Sequence, residues 1–232
     1  ALAKSMEEEL GITFTVSSED GCLKIAASGE NGHASTPWKG KNALTGLLAL
    51  IERLPLAECG QLKAVRALNH LMPHGDWFGA GLGIQISDEE SGELTLAFSM
   101  LDISEKSLEG EFDSRCPICA TKENTIDVIR KNMEAEGISF NTEELEPPHH
   151  VPADSDFVKT LLSAYESYSG RKGECIAIGG GTYVHHLKNG VAFGACLPET
   201  ENHMHGPDEF AVVDELLMSA KIFAQVIVDL CS

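Results

Sequence analysis

The spacing of apolar and polar positions changes period several times along this chain. Ile12, Phe14 and Val16 alternate with polar residues, Asp20-Gly21 supplies a turn, and Leu23, Ile25 and Ala27 alternate again. Successive side chains of a strand point to opposite faces, so this spacing predicts a β-hairpin. After Gly40 the period lengthens. Leu44, Leu47, Leu48, Ile51 and Leu54, then Leu62, Val65, Leu68 and Leu71, fall three or four apart and predict two helices. Period two returns at Leu82, Ile84, Ile86 and at Leu94, Leu96, Phe98, Met100, on either side of the polar turn from Asp88 to Gly92. A further strand is predicted from Leu108 to Arg115. A helix over about 125–136 stops at Gly137, and Ile138 to Phe140 reads as another short strand.

Strands and helices interleave here without a long parallel βαβ series, which predicts an α+β fold with helices on one face of an antiparallel sheet. Glu146 to Pro152 carries three prolines within six residues. Neither a helix nor a central strand accommodates that run, so it is the expected linker between domains at 1–148 and 149–232. Beyond it, Asp154 or Ser155 caps a helix bearing Phe157, Leu161, Leu162 and Tyr165 that ends at Ser169-Gly170. Strands are expected at Cys175 to Ile178 and Val191 to Ala195, then a long closing helix from Val213 to Leu230. Helix, strand, strand, helix is too little for a complete α/β domain, so the stretch reads as part of one.

With 43% hydrophobic residues among 232, the chain can bury real cores. Its 17 Lys+Arg against 36 Asp+Glu give a net charge of −19, spread along the chain, which disfavours nucleic acid and anionic membrane surfaces as partners. No run approaches the ~20 apolar residues of a membrane span. The first ten residues carry three consecutive glutamates instead of a basic signal-peptide start, and a cytoplasmic location is expected. The 7 cysteines are odd in number and irregularly spaced, so reduced, buried thiols are expected. Cys116-Pro117-Ile118-Cys119 is a lone C-x-x-C with no second pair and no obvious helix start. An inert structural pair is the preferred reading over a redox centre or half a zinc knot.

Candidate chemistry gathers late in the chain. Gly179-Gly180-Gly181-Thr182-Tyr183 lets backbone N–H groups approach a ligand closely. His203-Met204-His205-Gly206-Pro207-Asp208-Glu209 places imidazoles ahead of a helix, where they suit a divalent metal. Earlier, His33 lies on the connection between a strand and a helix, where it can donate a hydrogen bond to a developing oxyanion. Taken alone, a loop histidine that caps the next helix or packs on Pro37 is the plainer reading.

Gly32-His33-Ala34-Ser35-Thr36-Pro37 with Gly40-Lys41-Asn42-Ala43 closely resembles the lid, or dimerisation, domain of the M20 family of metallopeptidases. Phe112-Asp113-Ser114-Arg115-Cys116-Pro117 resembles that family's D-x-R-x-P strand, and the glycine-rich and His205 elements follow in the family's order, most like its PepV and Sapep dipeptidase branch. The resemblance spans essentially the whole chain and implies a ferredoxin-like lid plus part of an α/β catalytic domain. It implies that His33 approaches the scissile carbonyl oxygen, that Arg115 holds the free carboxylate of a dipeptide, and that Gly181 and Thr182 line the carboxylate pocket. His205 is then a metal ligand in a site for two divalent ions, zinc or manganese. An arginine suits its role because its planar fork pairs bidentately with a carboxylate and stays charged. Without the resemblance, Arg115 would read as a surface-strand residue pairing with a nearby acid.

The family's remaining metal ligands and general base, a His-x-Asp motif, a bridging Asp and a Glu-Glu pair, are not found here. Glu7-Glu8-Glu9 and Asp88-Glu89-Glu90 are acidic runs in the wrong contexts. The expectation is therefore the C-terminal half of a metal-dependent dipeptidase, with the N-terminal half of the catalytic domain as its missing partner, and inactive and metal-free by itself. The alternative is a non-enzymatic ferredoxin-like module that forms homodimers. His185 and His186 read as solvated, and His203 as a weaker ligand candidate than His205.

Overall fold

A computed structural model describes residues 1–194, 196–204 and 207–232, and these divide into two units. The first comprises Ala1–Pro148 with Ala177–Gly180, and the second His149–Ile176 with Gly181–Ser232.

The first unit opens on a helix that periodicity did not predict, α1 (Leu2–Leu10), ended by Gly11 in the left-handed conformation at φ 64°. Only two of its residues, Met6 and Leu10, are buried, too few to make a periodic signal. The glutamates take the other faces, where Arg53 forks onto Glu9 at 2.8 and 2.9 Å. The predicted hairpin forms as β1 (Thr13–Glu19) and β2 (Cys22–Ser28), in register from Thr13 opposite Ser28 to Glu19 opposite Cys22. Helices α2 (Ala43–Glu52) and α3 (Gly60–Leu71) follow as predicted. Helix α2 is apolar on two faces: Leu50 joins Met6, Leu10, Ile12 and Phe14 in a small core, and Leu48 joins a larger one with Val65, Leu68, Leu82, Ile84, Leu94 and Phe98.

The strand expected through Leu82, Ile84 and Ile86 does not form. Leu82 and Ile84 are fully buried, but the backbone turns through Gly79 and Gly83 (φ 74° and 77°), and Ile84 N–H donates back to Gly79 O at 3.0 Å. Alternation there records burial within a turning segment. A short hairpin follows, β3 (Ser87–Asp88) with β4 (Gly92–Glu93), and then the long pair β5 (Thr95–Ile103) and β6 (Leu108–Arg115). The β5–β6 register runs from Thr95 opposite Arg115 to Ile103 opposite Leu108, with an irregularity between Phe98 and Met100. These strands pair as three separate two-stranded antiparallel ladders. Helix α4 (Ile126–Ala135) ends before Gly137 at φ 77°. No strand forms at Ile138 to Phe140, where Phe140 instead stacks on Phe112 at 5.8 Å.

The acidic turn at Asp88 has a structural task. Its carboxylate accepts from Glu90 N, Ser91 N and Cys119 N at 3.0, 2.6 and 3.0 Å, while Ser91 Oγ accepts from Ile118 N at 2.8 Å. The C-x-x-C segment that follows Arg115 is thereby tied to the β3–β4 turn. These bonds, led by the Ser91 backbone N–H, lower the Asp88 pKa to about 2. Burial, then the nearby Asp88 charge, pushes the Cys119 thiol up, and burial pushes Cys116 up, which disfavours thiolates at neutral pH. All seven cysteines are free; contrary to expectation none is fully buried, six being exposed and Cys116 intermediate. Their positions at turns, helix ends and unpaired segments outweigh the apolar character of the neighbouring sequence.

The second unit packs α5 (Asp156–Ser169) on α6 (Val213–Cys231) through Leu161, Ala164, Ile222 and Val226. Ser155 caps α5, its Oγ accepting from Val158 N at 3.3 Å. The strands expected at Cys175–Ile178 and Val191–Ala195 are absent among the described residues, Ala195 lying outside them. A strand exists only where a neighbour accepts and donates its backbone hydrogen bonds, and no ladder partner is described for either segment. Among the described residues no helix is long and apolar enough to cross a membrane.

Two outcomes follow from this packing. Ile84→Ala will destabilise the first unit by roughly 2–5 kcal/mol in chemical denaturation, because a fully buried side chain is lost from the large core. Asp88 has a folded pKa below the ordinary 3.8, so its contribution to stability is complete above about pH 4 and is lost as pH falls through about 2. NMR titration of the Asp88 carboxyl will place its midpoint near 2, and Asp88→Asn will remove that limb of the acid-unfolding profile.

Candidate functional site

The His33 connection is a loop closed by its own ends. Glu30 N–H donates to Lys41 O at 3.1 Å, and Lys41 N–H to Glu30 O at 2.8 Å. Inside this closure the backbone doubles back so tightly that a Cβ on Gly32 would stand 2.9 Å from Gly40 N, which accounts for both glycines of the motif. A 3₁₀ turn at Pro37–Lys39 lies between them. Asn42 then starts α2: its Oδ1 accepts from Leu44 N and Thr45 N at 3.0 and 3.2 Å. Because Asn42 fills the cap, His33 does not.

Two hydrogen bonds fasten this loop to β5. Asn42 Nδ2 donates to Phe98 O at 2.8 Å, and Thr95 Oγ1 donates to Ala34 O, also at 2.8 Å. Thr95 is only 6% exposed. On its other side β5 is held where Leu96 N–H donates to Trp77 O at 2.8 Å.

His33 is exposed, and its Nδ1 accepts from Ser35 N–H at 3.2 Å, with Ser35 Oγ 2.7 Å away. An Nδ1 that accepts carries no proton, so this network assigns the neutral ring its proton on Nε2. Arg115 ends β6 directly opposite Thr95. Two residues earlier on the same strand face, Asp113 lies along one edge of the guanidinium: Nη2 donates to Oδ2 at 2.8 Å and Nε lies 2.7 Å from Oδ1. The opposite edge, built from Nη1 and the outer N–H of Nη2, is the one a ligand carboxylate would meet. The side chains are 35% and 38% exposed, so an anion can reach them.

A third segment meets these two. A Cβ on Gly179 would stand 2.7 Å from Ser35 Cβ and 3.3 Å from Arg115 Cβ, so only glycine fits there without displacement. Around Gly180 and Gly181 there is nothing within 4 Å of such an atom. The close approach anticipated for the triple glycine therefore belongs to Gly179 and not to Gly181. His33 and Arg115, distant in sequence, are brought together through Thr95 and Gly179 within the first unit. Gly181 and Thr182 belong to the second unit, where both are exposed ahead of a 3₁₀ turn at Tyr183–His186. His205 lies outside the described residues.

Among the described residues no group of three or more His, Cys, Asp or Glu side chains is placed to hold a metal ion. Glu7 accepts from Phe14 N at 3.2 Å and pairs with Lys4, and Glu9 is taken by Arg53. His203 packs its ring against Phe210 at 5.7 Å. His185 lies 5.6 Å from the ring of His149, whose Nε2 donates to Gly190 O at 2.5 Å. A cleft of about 540 Å³ borders the His33 loop, and two of its polar side chains are engaged in folding. His74 Nε2 donates to Leu10 O, and Asp76 accepts from Ala80 N and Gly81 N.

Thr95 is the participant that reading the sequence missed, while Gly179 stands out in the sequence only as part of the glycine turn, with Gly181 and Thr182 as its site residues. The available signal was a hydroxyl among the apolar neighbours Leu94, Leu96 and Phe98, and it gains meaning only once the pairing with Arg115 is known.

Comparison with known proteins places these features in context. The profile described as Peptidase family M20/M25/M40 matches residues 6–229. The chain is 36% identical over 213 residues to "Putative dipeptidase YtjP" of Bacillus subtilis (strain 168), covering 91% of this chain and 45% of that protein. It is 32% identical over 226 residues to "Beta-Ala-Xaa dipeptidase" of Lactobacillus delbrueckii subsp. lactis, covering 97% and 47%. The chain thus spans about half the length of the curated relatives it matches.

The site geometry yields a direct check. Nitrogen-15 NMR of the neutral His33 ring will show Nδ1 unprotonated and Nε2 carrying the proton. Gly179→Ala will shift the amide resonances of Ser35 and Arg115 while leaving those of α3 in place.

Proposed function

Because this chain belongs to peptidase family M20/M25/M40, we propose that it serves a dipeptidase that cleaves dipeptides with a free C-terminal carboxylate. The observation that carries the proposal is the meeting of the His33 loop with Arg115 through Thr95 and Gly179. An imidazole donor and a guanidinium fork held by one folded unit match the two polar ends of a dipeptide's C-terminal residue, its acyl oxygen and its carboxylate.

In this reading each side chain has a defined task. His33 donates its Nε2–H to the carbonyl oxygen as negative charge develops there, a role typically worth about 100–1,000-fold in kcat. Arg115 takes the substrate carboxylate on the edge that Asp113 leaves open, while Asp113 fixes the rotation of the guanidinium. Gly181 and Thr182 are assigned to substrate binding by the same reading. The first unit is the ferredoxin-like lid, and the second is part of the catalytic domain.

The described residues do not fit a metal centre by themselves. We assign His205 as the one ligand this chain contributes to a zinc or manganese site, with the other ligands and the general base outside these 232 residues. The 232-residue chain alone is then inactive.

A polypeptide of the relatives' length that contains this chain will hydrolyse members of a dipeptide panel with Zn²⁺ or Mn²⁺ and will lose that activity to a chelator. His33→Ala will lower kcat about 100-fold or more, and the 232-residue chain alone will cleave nothing. A longer polypeptide without dipeptidase activity, or a His33→Ala variant with unchanged kcat, would contradict the proposal.

A further inference from the structure

We propose that Thr95 is a positioning residue: its buried hydroxyl fixes the reach from His33 to Arg115 and so sets the site for a single residue between the scissile carbonyl and the free carboxylate. This inference rests on the dipeptidase reading above. Three features of the structure carry it. Thr95 Oγ1 donates to the carbonyl of Ala34, the residue between His33 and Ser35, at 2.8 Å. Thr95 is the direct cross-strand neighbour of Arg115, so the same side chain stands beside the guanidinium stem. It is 6% exposed, so water has little access to replace the bond if the hydroxyl is removed.

Apart from Gly179, which packs against both Ser35 and Arg115, the other described attachments of the two groups are separate. Arg115 is oriented by Asp113 on its own strand. The far end of the His33 loop is held by Asn42 on Phe98 O. At the near end the loop contacts Gly179 at Ser35, and the Thr95 hydroxyl ties the loop's main chain, at Ala34 O, to the strand pair that carries Arg115. Loss of that hydroxyl should therefore move the imidazole relative to an unmoved guanidinium. Binding of the carboxylate persists while donation to the carbonyl oxygen deteriorates.

Thr95→Val keeps the β-branched shape and removes the O–H, whereas Thr95→Ser keeps the O–H. In the longer dipeptidase polypeptide, Thr95→Val will lower kcat at least about tenfold with KM changed less than about threefold. Thr95→Ser will retain kcat within about threefold of wild type. In a His33→Ala background Thr95→Val will add no further loss. Unchanged kcat in Thr95→Val, an equal loss in Thr95→Ser, or an additive loss in the His33→Ala background would each overturn the proposal.

A second measurement on the 232-residue chain separates this inference from the reading beneath it. Thr95→Val will shift the Ser35 amide and His33 ring resonances, and Thr95→Ser will restore them. If the longer polypeptide proves inactive on dipeptides, the dipeptidase reading fails by itself. Unshifted Ser35 and His33 resonances in Thr95→Val would overturn the positioning role whatever the activity.

Discussion

A loop that doubles back on itself must find partners for its backbone groups, and here β5 supplies them. The Glu30–Lys41 closure holds the two ends of the loop together, but it does not fix the loop's direction. Direction comes from the bonds of Thr95 to Ala34 O and Asn42 to Phe98 O, both part-buried within the first unit. Such bonds are worth about 1 kcal/mol each in stability, yet leaving a buried carbonyl unpaired costs more than the bond contributes. Geometry is therefore held more firmly than the modest net energy suggests. The placement of the His33 loop relative to Arg115 depends on that attachment.

Charge explains why the second group needs a chaperoning carboxylate. In a chain with a net charge of −19, a half-exposed arginine has many possible acidic partners. Asp113 takes one edge of Arg115 side-on and so restricts its freedom to pair elsewhere, while the side chain stays 35% exposed. Strand periodicity makes this cheap, because residues two apart share a face and the pair needs no long-range folding to form. The acidic turn at Asp88 works similarly at the next step of the chain, anchoring the segment after Arg115 through backbone N–H groups instead of through a cation.

Much of the fold was legible because amphipathic helices write their burial at a period of three to four. Leu44 to Ile51, Leu62 to Leu71 and Phe157 to Tyr165 all became helices with those residues facing a core or its margin. Period two was less reliable. It served at β1, β2, β5 and β6, but Leu82 to Ile86 show that buried alternation also arises where glycines turn the chain. Cys175 to Ile178 and Val191 to Phe193 show that strand-like sequence is not a strand without a partner. Helix α1 escaped because two buried residues in nine cannot establish a period. At the site, His33 and Arg115 stood out as residue types in motifs. Their proximity did not, because it depends on Thr95 and Gly179, whose importance lies in what they touch after folding.

The proposed pairing of the His33 imidazole with Arg115 as a carboxylate-binding fork is tested most directly by substrate choice. In the longer polypeptide, kcat/KM for a dipeptide should exceed that for the same dipeptide with its C-terminus amidated by about 100-fold, the scale of a charge-assisted bidentate contact. In Arg115→Ala that preference should fall to within about threefold. A preference of wild-type size surviving in Arg115→Ala would mean that the substrate carboxylate is held elsewhere, and the arrangement described for the first unit would not be the substrate grip.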